Sequence, residues 1–185
     1  MKILLVAGPF LSLREPYHGV VEAFIVEHAN ELVRLGHIVD VIAKDADEKN
    51  LFQVIEFRES PFSMKDDSYR ACPEWLGQQH YQSLQFGIFD ISSYDVVHYN
   101  SFIPEIYGIA ALFKTPSVLT IHLPPTEQTV LMYQFFLKHA AVTAISFSNE
   151  MSEQWTLLLS QDVEVISNAA DYVIVYERIT KRAEK

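Results

Sequence analysis

Seven histidines are the side chains of this sequence best suited to exchanging a proton near neutral pH, and their spacing limits what they can do. His37, His80 and His139 show no metal-ligand spacing, and no pair falls at i, i+4 with an acid, so no metal site is expected. His28 falls on the apolar stripe of a helical segment and is expected to be a satisfied core histidine. His98 and His122 each close a short apolar run, which puts them at strand ends, where a histidine packs or binds. His18 and Gly19 lie in a loop leading into a helix. A plain turn is one reading of them; the other is an anion site, since helix N-termini offer free N–H groups and partial positive charge. Arg14, in the same loop, is a single basic residue and weak support for a diphosphate site. Ser146 and Ser148 lack the G-x-S-x-G elbow of a nucleophilic serine and are expected as helix caps.

Those residues need a scaffold that gathers strand ends and helix starts along one edge. Lys2–Ala7 is an unbroken apolar run, short and branched enough for a strand buried on both faces. A loop is expected over Gly8–Gly19. From Val21 the period changes: Val21, Phe24, Ile25, His28, Ala29, Leu32 and Leu35 recur at helical spacing, and Gly36 stops the helix. Ile38–Ile42 is a second strand, so the opening 44 residues form a right-handed βαβ unit with parallel strands. Further strands are expected over Phe52–Phe57, Asp95–Tyr99, Ser117–His122, Val142–Ile145 and Val163–Ile166. Helices are expected over His80–Ile91, from Pro104, over Thr126–Lys138, from Ser146 or Ser148 to Leu159, and over Asp171–Ala183. The helix near 129–137 is apolar almost all round, which fits either buried core or a partner face. Ser60–Gly77 is rich in Pro, Asp and Ser and is expected to be a long surface excursion. Alternating strands and helices imply one α/β domain: an open parallel sheet of about seven strands, helices on both faces.

Charge and composition narrow the partners. A net charge of −10 disfavours nucleic acid and anionic lipid, and the single Cys72 excludes an internal disulfide. The apolar start is too short for a signal peptide and no stretch suits a transmembrane helix, so a soluble cytoplasmic domain is expected.

Several stretches occur in an order that resembles the N-terminal domain of a GT-B fold glycosyltransferase, of the family 4 type that transfers sugar from a nucleotide donor with retention. They are Gly19-Val20-Val21-Glu22, Leu35-Gly36-His37-Ile38-Val39-Asp40-Val41, Asp95-Val96-Val97-His98-Tyr99-Asn100-Ser101, Val118-Leu119-Thr120-Ile121-His122, Ala144-Ile145-Ser146 and Val165-Ile166-Ser167-Asn168-Ala169-Ala170-Asp171. The resemblance implies a Rossmann-like acceptor-side domain over residues 1–170. It also implies a closing helix, 171–185, packed on that domain through Tyr172, Val175, Tyr176 and Ile179. His122 matches a family histidine that faces the interdomain cleft near the transferred sugar. The candidate cleft or ligand-binding residues are His18, Gly19, His98, Asn100, His122 and Asn168, with no catalytic residue assigned. Two positions depart from the pattern, Val20 and Ala169 standing where the family has glycine. Val20 places a Cβ where the donor phosphate would approach the backbone.

The nucleotide-sugar-binding domain of such enzymes has no counterpart in these 185 residues. The expected function is therefore a binding or partner module of glycosyltransferase type, inactive alone, with no cofactor. Its expected partners are a second copy, a separate donor-domain protein, or a sugar or glycosyl acceptor. The alternative is a minimal retaining glycosyltransferase. An unrelated nucleotide-binding Rossmann-like domain ranks last, because Gly8-Pro9-Phe10 follows the first strand where G-x-G-x-x-G would stand.

Overall fold

The computed structural model describes residues 1–57, 82 and 84–166. Seven strands, all paired in parallel, form one sheet: β1 (Lys2–Leu13), β2 (Ile38–Ala46), β3 (Gln53–Glu56), β4 (Val96–Tyr99), β5 (Ser117–Ile121), β6 (Val142–Ser146) and β7 (Val163–Val165), in the order β3-β2-β1-β4-β5-β6-β7. The chain builds outward from β1 through β2 to β3, then returns to β1's other side and builds the opposite way. In open α/β sheets such a reversal of building direction, here between β1 and β4, marks the carboxyl edge as the place where ligands bind.

The expected α/β sheet is present, with β1 and β2 longer than read from sequence; β2 continues past Ile42 to Ala46 beside the lengthened β1. The loop expected from Gly8 begins only after Leu13, because β1 continues through an irregularity at Gly8. Gly8 has φ +110°, and a Cβ there would lie 3.0 Å from Ser101 Oγ. Only glycine meets both conditions, the left-handed backbone and the close approach to the loop after β4.

Helix α1 (Val20–Arg34) lies alone on one face of the sheet among the described residues. Its buried side is Ala23, Ile25, Val26 and Ala29, against Leu5, Val41 and Ala43 of the strands. The face is rotated from the stripe read in the sequence: Leu35 is 72% exposed, while Phe24 and His28 are half-buried to one side. Gly36, with φ +88°, ends the helix as expected. Its N–H donates to Val33 O at 2.9 Å and that of His37 to Leu32 O at 3.1 Å, a Schellman pattern.

Helices α2 (Pro104–Ala110), α3 (Glu127–His139) and α4 (Asn149–Leu159) cover the other face, with Ile106, Tyr107, Tyr133, Phe136 and Trp155 packed on Leu4, Val6, Tyr99 and Leu119. Pro104 opens α2, and Thr126 caps α3 in a reciprocal pair with Thr129. Ser148, rather than Ser146, caps α4, accepting the Met151 N–H. The nearly all-apolar α3 divides both ways. Tyr133 and Phe136 are core, whereas Leu131 and Phe135 are 61% and 46% exposed. The helix expected over 80–91 is shorter than read: among the described residues helical backbone ends at Phe86, a turn follows over 87–89, beginning at Gly87, a poor helix former, and a single 3-10 turn forms at Ile91–Ser93. The excursion 60–77, residues 80, 81 and 83, Asn168 and the helix expected over 171–185 lie outside the described residues.

Candidate functional site

Parallel register and the two-residue period of a strand build the site. His98 and Asn100 stand on one face of β4 and the residue after it; Thr120 and His122 stand on the same face of β5 and the residue after it. His98 pairs with Val118 and Tyr99 with Leu119, so the two polar pairs sit side by side at the carboxyl edge. This is the face that α1 covers, since His98 pairs with Leu5 of β1. The sequence alternates polar and apolar at both strand ends, and that alternation is the signal that could have joined Thr120 to the histidines.

The pairs interlock. His98 Nε2 lies 2.6 Å from Thr120 Oγ1, and His122 Nε2 lies 3.0 Å from Asn100 Oδ1. The Asn100 N–H donates to Val6 O at 2.8 Å, tying this point to β1. Phe24, Phe102 and Phe147 stand around His122 with ring centroids 5.7, 5.8 and 5.3 Å away. They come from α1, the loop after β4 and the loop after β6, so three separate elements meet on one imidazole. His28 stacks on Phe24 at 5.4 Å and meets the His98 ring edge-on at 5.2 Å. It was expected as a satisfied core histidine, but its nitrogens find no hydrogen-bond partner among the described residues. It belongs to the cluster.

Burial governs the charge state of these rings. His122 is pushed down to about 4 by loss of water. His98 is pushed down to about 3, first by burial and then by the like charge that His28 and His122 would carry. His28 is also lowered by burial. At neutral pH all three are neutral imidazoles, able to accept and donate hydrogen bonds without attracting anions. Among the described residues, no group of His, Cys, Asp or Glu has the geometry to hold a metal ion.

The remaining candidates fall differently. Gly19 is the N-cap of α1, and a Cβ on it would lie 3.2 Å from Glu22 Oε2. Glu22 is buried in the first turn, so a carboxylate already stands at the positive end of the helix. His18 is exposed on the preceding loop and makes no hydrogen bond or ring contact with the cluster among the described residues. Asn100 is fully buried and meets the site through His122 rather than through solvent. Arg14 pairs with Asp45 at 3.5 Å and borders a hollow with Glu15, Asp47, Glu48 and Lys49, where Lys49 pairs with Glu15 at 3.0 Å. Three carboxylates against two bases do not suit a diphosphate, so the basic-residue reading of Arg14 finds no support there. No described helix is long and apolar enough to cross a membrane.

Three comparisons bear on this geometry. The family model described as Glycosyltransferase Family 4 matches residues 21–174. Among solved structures, a glycosyltransferase from Rickettsia africae ESF-5 shares the fold at TM-score 0.58 and 19% identity, over 90% of this chain and 42% of that one. A sucrose-phosphate synthase from Thermosynechococcus elongatus matches at TM-score 0.50 and 13% identity, over 90% of this chain and 47% of that one. The chain thus spans less than half the length of either. No curated protein matches it.

Proposed function

Because the chain belongs to glycosyltransferase family 4, we propose that it is the acceptor-side half of a GT-B architecture, binding a glycosyl ligand at the carboxyl edge of its sheet. The observation that carries this reading is the neutral imidazole of His122, held by Asn100 and ringed by Phe24, Phe102 and Phe147 at that carboxyl edge. Hydroxyl groups suit such a nitrogen, and the apolar face of a sugar ring suits the surrounding phenylalanines.

On this reading the domain works against a donor half and does not hold a nucleotide-sugar strongly by itself. Two features support that. The Val20 side chain stands at the start of α1, where a phosphate would approach, and the Glu22 carboxylate occupies the helix's positive end. Calorimetric titration with UDP- and GDP-sugars tests it. Weak or undetectable heat is expected, and low-micromolar affinity would instead support a minimal retaining glycosyltransferase.

The proposal extends to residues 171–185 as a closing helix on this domain, supported by the helical spacing of Tyr172, Val175, Tyr176 and Ile179. Removing 171–185 should lower the melting temperature, and an unchanged value counts against the closing role. Association through the uncovered side of α3, with a second copy or a donor-half protein, belongs to the same proposal.

A further inference from the structure

We propose that Asn100 is the positioning residue that fixes His122 in its Nε2–H tautomer, so that the ring offers Nδ1 as a hydrogen-bond acceptor and cannot offer it as a donor. The inference takes its ligand from the glycosyl-binding reading above; the tautomer itself rests on hydrogen-bond geometry around a ring that burial keeps neutral.

The amide of Asn100 has one orientation that satisfies both of its neighbours. Its Nδ2 donates to the His98 carbonyl oxygen at 3.4 Å, and that oxygen can only accept. Turning the amide over would set two oxygens against each other. Asn100 Oδ1 must therefore be the atom 3.0 Å from His122 Nε2, and since Oδ1 can only accept, Nε2 must carry the proton. A neutral imidazole has one N–H, so Nδ1 is left with its lone pair. Nothing among the described residues hydrogen-bonds Nδ1, and the neighbouring Phe24, Phe102 and Phe147 rings have no group that could. Asn100 is itself immobile: fully buried, with its N–H on Val6 O at 2.8 Å.

The consequence is a rule of recognition. A bare nitrogen in an apolar surround takes a ligand O–H and repels an acceptor-only oxygen, so this point reads a hydroxyl and rejects a phosphate oxygen. The ring's lone pair is also the group able to accept a proton from that hydroxyl, should the ligand's chemistry release one.

Long-range nitrogen–proton correlation NMR on the full chain tests the tautomer without requiring activity. The wild type is expected to show His122 with Nε2 protonated and Nδ1 bare. Asn100→Leu should convert that single tautomer to a mixture. Asn100→Asp keeps an acceptor in place, so it should preserve Nε2–H and raise the titration midpoint of His122 by about one pH unit or more, through the added negative charge. A protonated Nδ1 in the wild type, an unchanged tautomer in Asn100→Leu, or an unmoved midpoint in Asn100→Asp would each overturn the proposal. If Asn100→Leu does not fold, the wild-type spectrum and the Asp variant decide. Methyl α-glucoside and methyl α-mannoside, with inorganic phosphate as the contrast, are then titrated into the wild type. A shift of the Nδ1 resonance with a glycoside and none with phosphate is the expected result, and a shift with phosphate alone would overturn the acceptor rule. If the tautomer depends on Asn100 as stated and none of these ligands moves Nδ1, the clamp stands and the glycosyl-binding reading falls.

Discussion

At the scale of single residues the site is a set of buried histidines that gain nothing from being charged, and this makes stability depend on pH in a definite direction. His98 and His122 titrate at about 3 and about 4 in the folded chain, against 6.5 unfolded, and His28 is lowered as well. The unfolded chain therefore binds more protons between those values, and stability falls as pH drops below about 6.5 towards 4. Each tenfold difference in proton affinity between the folded and unfolded chain is worth about 1.4 kcal/mol, so the loss amounts to several kcal/mol by the acid end of that window. Melting temperatures from pH 7.5 to 4.5 should show this fall, and His28→Phe should flatten it by removing one titrating ring. A profile that stays level to pH 4.5 would contradict the burial of the cluster. Sequence spacing located His98 and His122 because both close a strand. The convergence of Phe24, Phe102 and Phe147 was not legible, since nothing local says that rings on three elements meet on one histidine.

At the scale of elements, boundaries were legible wherever a residue has a local chemical reason to stop or start one. Pro104 and Gly36 sit where their backbone preferences put them, and Thr126 and Ser148 cap as their hydroxyls allow. Thr126→Ala and Ser148→Ala should each cost about 1 kcal/mol in denaturant unfolding, with larger losses for Thr126, whose partner Thr129 also hydrogen-bonds back to it. The rotation of α1 was not legible, because an apolar stripe says which side is buried only to within the width of a neighbouring residue. Leu35 lost its place to Ala23 and Val26, small enough to let the helix lie close on β1 and β2. For α3, apolar residues on every side left the buried face undetermined until the packing of Tyr133 and Phe136 on Tyr107 fixed it. Phe136→Ala should cost about 3–5 kcal/mol, as expected for a fully buried ring.

At the scale of the whole molecule, the exposed side of α3 provides a test of association that leaves the core alone. Leu131→Asp should leave the melting temperature nearly unchanged and Phe135→Asp should lower it only slightly, because Leu131 is mostly exposed and Phe135, half exposed, packs on His139 of the same helix. If association uses this side, sedimentation at micromolar concentration should show a complex in the wild type and a monomer in the double variant. A wild-type monomer in the absence of other chains would leave only a separate partner. The parallel sheet was implied by alternating elements, whereas the strand order, with β1 inside the sheet between β2 and β4, was not, since that depends on which way the chain turns after β3. That interior position also sets a timetable. β1 pairs on one side with β2 and on the other with β4, whose partners to Ile3–Val6 are Val96–Tyr99. Joining β1 to β4 instead of β2 raises the loop-closure cost by less than about 1 kcal/mol, so thermodynamics hardly distinguishes the two events. Synthesis does distinguish them, because a ribosome delivers β2 long before β4. Until Tyr99 has emerged, the most apolar strand of the protein carries a complete row of unpaired amides along one edge. During that interval the nascent chain is open to strand exchange with its neighbours, and the arrival of four residues of β4 closes the opening.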